Sequence, residues 1–301
     1  MKQASFFPRN DLMDSQLLTA PDYPIRFDYD SLDPGAAVDP NWLWHPDLEF
    51  NLVLEGQIEF FVEDERITLS QGQAIFKNAN VLHYTREATG QDPARLLSIL
   101  MSTEFIAPAH SRMYQRYVEP FISADRLRCL PFTGGTGWQR DILNLLRQAE
   151  AAQAARFGAY ELRVHEAMCG IWRILAEHRQ SIPARYLSPL ALTNQVRIRQ
   201  MLTRIHRDFG EKLTLADIAS AANVSENTSR TCFRAVLRQT PMEYLTAYRL
   251  HQAARLLRST ELTVEEIAAQ CGFGDSSYFG RLFRRHMGVT PMEYRKNGTG
   301  S

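Results

Sequence analysis

Leu262-Thr263-Val264-Glu265-Glu266-Ile267-Ala268 restates Leu213-Thr214-Leu215-Ala216-Asp217-Ile218-Ala219, and Thr290-Pro291-Met292-Glu293-Tyr294 repeats Thr240-Pro241-Met242-Glu243-Tyr244 without change. The offset is 49 residues at the first match and 50 at the second. One residue is therefore gained between them, and we place it near Gly274. Each copy reads as helix, tight turn, helix. In the first, Thr214 caps a helix through Ile218 to Ala222, Asn223-Val224 turns, and Ser225 caps a helix through Phe233 to Arg238. In the second, Thr263 is the cap, Cys271-Gly272-Phe273-Gly274 turns, and Asp275 caps a helix through Phe283 to His286. Ala219 and Ala268 are small enough to let paired helices approach at a crossing of about 90–120°.

The second helix of each copy has two unlike faces. Cys232, Phe233, Val236 and Leu237 form an apolar face, with Asn227, Arg230, Thr231 and Arg234 opposite at helical spacing. In the other copy Phe279, Leu282, Phe283 and Met287 are apolar, and Ser276, Ser277, Gly280, Arg281 and Arg284 face outward. Short polar side chains and arginine at the start of a helix are what reading base edges in a major groove requires. Lys212, Arg234, Arg238, Arg249, Arg255, Arg258, Arg284, Arg285, Arg295 and Lys296 suit phosphates instead. The whole chain is neutral, yet residues 183–301 carry +7 and residues 1–182 carry −7. Such a split points to a polyanion partner at the basic end.

Cys271-Gly272-Phe273, Tyr278-Phe279, Arg281-Leu282-Phe283, Gly288-Val289-Thr290-Pro291 and Tyr294-Arg295 together resemble the AraC/XylS signature of bacterial transcription regulators. The resemblance runs from near Val196 to Lys296. It implies two helix-turn-helix units joined by a long helix, here Glu243 to Leu257, with recognition helices entering successive major grooves of double-stranded DNA. Carried over by position, the base-reading residues are Asn227, Arg230 and Thr231 in the first unit, and Ser276, Ser277, Tyr278 and Arg281 in the second. Ser229 departs from the family, which has an apolar core residue there. A serine would loosen that helix or bond back to a carbonyl one turn earlier.

Residues 24–102 read as β structure, with short apolar runs at Phe50–Leu54, Ile58–Val62, Ile67–Leu69, Ala74–Phe76 and Leu96–Met101 separated by turn residues. Trp44 to Gly56, and Gly72 to Phe76 with Asn80 to His83, are similar to the two motifs of cupin barrels. That resemblance implies an effector pocket lined by Trp42, Trp44, His45, Glu49 and His83, suited to a sugar or related polyol. Metal-binding cupins carry an HxH pair, a Glu and a later His. Leu43 stands in place of the first His, so no metal and no cofactor is expected. His45, Glu49 and His83 remain the alternative metal set. From Trp138 onward the apolar spacing is helical, at Ile142, Leu145, Leu146 and Ala149 and again from Leu162 to Leu175. The family resemblance implies that such helices dimerise.

The reading is therefore a multi-domain α+β protein. Residues 1–105 form a cupin-like effector-binding barrel and 106–182 a helical extension. Residues 183–192 form a proline-marked linker, and 193–296 an all-α double helix-turn-helix domain. The expected function is a cytoplasmic, sequence-specific transcription regulator controlled by a small-molecule effector. A homodimer is expected, and RNA polymerase is a further partner the resemblance admits. No catalytic residues are expected. The alternatives are a metal-dependent cupin dioxygenase or isomerase with a DNA-binding tail, and a purely architectural protein. The latter would need only basic residues rather than specific polar stripes. No apolar run approaches the roughly 18 residues of a membrane span, and Asp11 and Asp14 interrupt any secretory core. The four cysteines lack CxxC spacing and read as buried thiols. Gly134-Gly135-Thr136-Gly137 lacks the Lys-Ser/Thr of a phosphate loop and reads as a loop before a helix.

Overall fold

The computed structural model describes residues 23–32, 42–63, 65–89, 92–122, 127–182 and 189–298. Two compact units divide the chain, one containing Trp42–Leu187 and the other Ser188–Ser301.

The first unit holds eight strands among its described residues: β1 (Ile25–Leu32), β2 (Leu48–Glu55), β3 (Gln57–Val62), β4 (Glu65–Ser70), β5 (Ala74–Lys77), β6 (His83–Glu87), β7 (Ala94–Met101) and β8 (Cys129–Phe132). Antiparallel pairing gives a five-stranded sheet, β1-β7-β2-β5-β8, and a three-stranded sheet, β4-β3-β6. A single bridge between Leu43 and His83 adds to these. Strand alternation sorts the side chains. Leu48, Phe50 and Leu52 of β2, Ala74 and Phe76 of β5, and Leu97, Ile99 and Met101 of β7 share a core with the helices that follow. Val53, Ile75 and Leu96 point the other way, into a second core with Ile58, Phe60, Val62 and Leu69 of the smaller sheet. That inner face also carries Glu49, Asn51 and Lys77, one or two pleats away from the apolar residues.

The helices of this unit are α1 (Glu119–Ile122), α2 (Gly137–Ala155) and α3 (Tyr160–Glu177). The buried Trp172 of α3 meets Phe76 and Phe121 edge-on, and its indole donates to the Tyr117 carbonyl at 2.9 Å. One ring thus pins the helical layer to the sheet. The stretch expected to be wholly helical contains β8, which extends the larger sheet beside β5. Its four residues, Cys-Leu-Pro-Phe, are too short for periodicity to mark.

The second unit is helical: α4 (Pro189–Asp208), α5 (Leu215–Ser220), α6 (Glu226–Leu237), α7 (Pro241–Ser259), α8 (Val264–Gln270), α9 (Ser276–Met287) and α10 (Pro291–Gly298). The expected linker at 183–192 differs in its second half. Pro189 opens α4, where a proline loses no helical hydrogen bond; residues 183–188 lie outside the described residues. Threonine starts both copies twice over. Thr214 with Asp217, Thr240 with Glu243, and Thr263 with Glu266 form reciprocal capping boxes. Thr290 and Glu293 do the same at 2.8 and 3.3 Å. Asn223 and Gly272 occupy the left-handed region at φ 51° and 74°. The following amides bond back equivalently, Val224 to Ala219 and Phe273 to Ala268. Ser225 and Asp275 then cap α6 and α9. The extra residue of the second copy is thereby Gly274.

Candidate nucleic-acid interface and inner-sheet cluster

Helices α6 and α9 are built alike. Cys232, Phe233 and Leu237 of α6 and Phe279 and Phe283 of α9 are buried, with Val236, Leu282 and Met287 half-buried. The opposite stripes stand in solvent. Asn227, Arg230, Thr231 and Arg234 are exposed on α6, and Ser276, Ser277, Tyr278, Arg281, Arg284 and Arg285 on α9. Lys212 and Arg238 are exposed as well. Both helices pack on α7, which is continuous between the two copies. Within α6, Arg230 pairs with Glu226 one turn earlier at 3.3 Å, and the Thr231 hydroxyl donates to the Asn227 carbonyl at 3.0 Å. Glu226 is thus an acidic member of this face that the sequence reading omitted. In α9 the Asp275 carboxylate accepts from the Tyr278 amide at 2.7 Å, fixing the first turn that carries Ser276 and Ser277.

Three arginines expected at phosphates have work inside the unit. Arg249 donates to the carbonyls of Phe209 and Glu211 at 2.8 and 2.7 Å, closing the end of α4. Arg295 donates to the Leu262 carbonyl. Arg258 lies over the Tyr294 ring at 4.6 Å. Their one-turn neighbours in sequence gave no sign of these long-range acceptors.

Ser229 is fully buried among apolar residues, and its hydroxyl has no hydrogen-bond partner among the described residues. The back-bond to a carbonyl does not form. His206 of α4 stacks on Tyr248 at 3.6 Å and meets the Tyr244 hydroxyl at 2.8 Å. Burial pushes its imidazole well below the ordinary range. None of the four cysteines forms a disulfide among the described residues; Cys232 and Cys271 are buried as expected, whereas Cys129 and Cys169 are only half-buried, and burial pushes the Cys271 thiol up to about 12.

In the first unit the structure places all five expected effector-pocket residues in buried positions. His45, Glu49 and His83 come together. His45 Nε2 lies 3.2 Å and His83 Nε2 3.1 Å from the same Glu49 oxygen, Oε2. Trp42 instead packs edge-on against Tyr84 at 4.7 Å, and its indole nitrogen has no partner among the described residues. Trp44 is buried, and Leu43 before it bridges His83 through the backbone at 2.8 and 2.9 Å. The sequence reading missed Lys77. It stands opposite Glu49 in the β2–β5 register, and its Nζ lies 2.7 Å from Glu49 Oε2 with both side chains 2% exposed. Asn51 donates to the other oxygen, Oε1, at 2.9 Å and to the Ser98 hydroxyl at 2.8 Å. Burial pushes the Glu49 carboxyl up, but Lys77 and the two histidines outweigh it and hold the group well below the usual carboxylate range. Burial, and then the Lys77 charge, lower His83 to about 4, so its ring is neutral. A lysine ending an apolar strand, on the same pleat as Ile75, was the available signal.

Comparison with known proteins bears on both units. A helix-turn-helix domain family matches residues 218–297, and a cupin domain family matches residues 29–100. The uncharacterised HTH-type transcriptional regulator YdeC of Bacillus subtilis is 29% identical, over 84% of this chain and 85% of its own. A putative AraC-like transcription regulator of Streptomyces lividans is 36% identical, over 45% of this chain and 44% of its own. The melibiose operon regulatory protein of Escherichia coli is 22% identical, over 85% of this chain and 84% of its own. The chain is thus similar to AraC-like transcription regulators, with a helix-turn-helix match over its C-terminal part and a cupin match ahead of it.

Proposed function

We propose that this regulator reads DNA through α6 and α9 together, with Asn227, Arg230 and Thr231 facing one major groove and Ser276, Ser277, Tyr278 and Arg281 the next. Lys212, Arg234, Arg238, Arg284 and Arg285 take the phosphates. The observation that carries this reading is the pair of exposed polar stripes, each backed by a buried aromatic face and both braced on α7. An arginine bidentate to guanine is worth roughly 1–3 kcal/mol of discrimination. In binding-site selection from random duplexes followed by competition, Arg281→Ala is expected to lose preference at one base position. If that variant ranks every duplex as the parent does, Arg281 does not read a base.

The effector is proposed to be a small polar molecule, a sugar or polyol, held by the cupin module. The name of the melibiose operon relative and the buried aromatic and hydrogen-bonding residues Trp42, Trp44, His45, Glu49 and His83 support that class. The effector would bias a two-state arrangement of a homodimer formed through the helical extension, and so change contact with DNA or RNA polymerase in the cytoplasm. No helix among the described residues is long and apolar enough to cross a membrane. A thermal-shift screen of sugars and sugar acids on the full chain tests the effector class, since a bound ligand raises the melting point by mass action. The enzyme alternative needs a metal at His45, Glu49 and His83; the ammonium against the same carboxylate oxygen favours the regulator.

A further inference from the structure

We infer that Lys77 is the resident cation of the inner-sheet cluster: its ammonium supplies the positive charge that a metal ion would otherwise bring to His45, Glu49 and His83, and the site becomes a divalent-metal site when that ammonium is removed.

The argument starts from the histidines. His45 Nδ1 faces the Asp47 carbonyl at 3.1 Å and His83 Nδ1 faces the Val81 carbonyl at 2.9 Å. The carbonyls fix the orientation of both rings at Nδ1, and Nε2 is the nitrogen that each ring turns to the cluster. Both Nε2 atoms converge on Glu49 Oε2, at 3.2 and 3.1 Å. Two ring nitrogens and a carboxylate oxygen thus converge in a buried space, all within 4.8 Å of one another. A carboxylate so buried does not stand without positive charge beside it. Backbone carbonyls orienting the distal ring nitrogens are also how protein metal sites fix their histidines.

The positive charge present is Lys77. Its Nζ lies 2.7 Å from Oε2, and it is anchored on β5 directly across from Glu49. A divalent ion bound by the three groups would sit about 2.0–2.2 Å from each, next to a buried ammonium on the same oxygen. Like charges that close, out of water, are mutually destabilising. The residues as they stand therefore do not fit a metal, although three of the four belong to a metal-ligand set. Lys77→Met keeps the apolar stem of the side chain, one atom shorter, and removes the charge. It leaves Glu49 Oε2 and two oriented imidazoles without the ammonium and open to another cation.

The experiment uses the full chain, dialysed against Zn²⁺ and assayed for metal content, with melting followed by tryptophan fluorescence. All four tryptophans, Trp42, Trp44, Trp138 and Trp172, lie in the first unit. Expected are no zinc-dependent rise in melting for the parent, and for Lys77→Met one additional zinc with a melting point raised by several degrees. Adding His83→Ala to Lys77→Met should abolish both gains. Lys77→Arg retains a cation and should behave as the parent. If the parent itself takes up zinc in a His83-dependent manner, the inference is overturned without recourse to any Lys77 variant. It is equally overturned if a folded Lys77→Met gains no zinc, or if Lys77→Arg gains as much.

Discussion

Replacing Ser229 by alanine should stabilise the second unit. The hydroxyl of Ser229 is completely buried on α6 and has no partner among the described residues. A buried polar group without a hydrogen bond costs about 1–3 kcal/mol. Alanine removes that cost, leaves a void of a single atom, and gains up to about 0.5 kcal/mol of helix propensity. A net gain of about 1–2 kcal/mol follows. For a unit of this size each kcal/mol moves the midpoint by about 4–8 °C, so a rise of roughly 4–16 °C is expected. The assay is differential scanning calorimetry or far-ultraviolet circular dichroism of the full chain, run beside tryptophan fluorescence. The tryptophans sit in the first unit and α6 in the second, so the helical transition should move while the fluorescence transition stays. An unchanged or lowered helical transition would mean that the hydroxyl finds a partner in solution, and would refute the reasoning.

Three further outcomes follow from the same geometry. Arg284→Ala should weaken binding equally on all duplexes and lower the slope of log affinity against log salt by about 1, measured by fluorescence anisotropy across a salt series; a change in sequence preference would contradict a phosphate role. Gly272→Ala should destabilise the second unit by more than about 1 kcal/mol, because Gly272 has φ 74° and an added Cβ would meet the Phe209 carbonyl at 2.6 Å. Chemical denaturation followed by circular dichroism checks this, and an unchanged midpoint would show that the turn relaxes freely. His206 stays neutral in the folded chain because burial lowers its pKa, while the unfolded chain takes up a proton near pH 6.5. Stability of the second unit should therefore be full above that pH and fall below it, by up to about 1.4 kcal/mol per unit, as seen in melting midpoints at pH 7.5 and 5.0. A flat profile that His206→Gln leaves unaltered would count against it.

The helix-turn-helix pair was legible because its determinants are local. A threonine three residues before an acid, a glycine or asparagine at the turn, and aromatic residues at helical spacing all act within a few residues of chain. The two β motifs were legible for the same reason. What escaped depends on partners far away in sequence. Lys77 matters because strand register sets it opposite Glu49, and no spacing rule contains that register. Arg249 and Arg295 read as surface cations until the carbonyls of Phe209, Glu211 and Leu262 are brought beside them. The strand Cys129–Phe132 forms because β5 offers it an edge, not because its four residues prefer one.

The four capping boxes have a consequence for how such a regulator changes over generations. Each box fixes a helix start with residues outside the exposed polar stripes, and the aromatic faces hold α6 and α9 from behind. Exposed positions such as Asn227, Ser276 and Arg281 are thereby relieved of any architectural duty. If they read bases as proposed, exchanging them would alter which duplexes are addressed while the scaffold keeps its melting behaviour, so a duplicated copy of this protein could drift to new targets one substitution at a time without passing through unfolded intermediates.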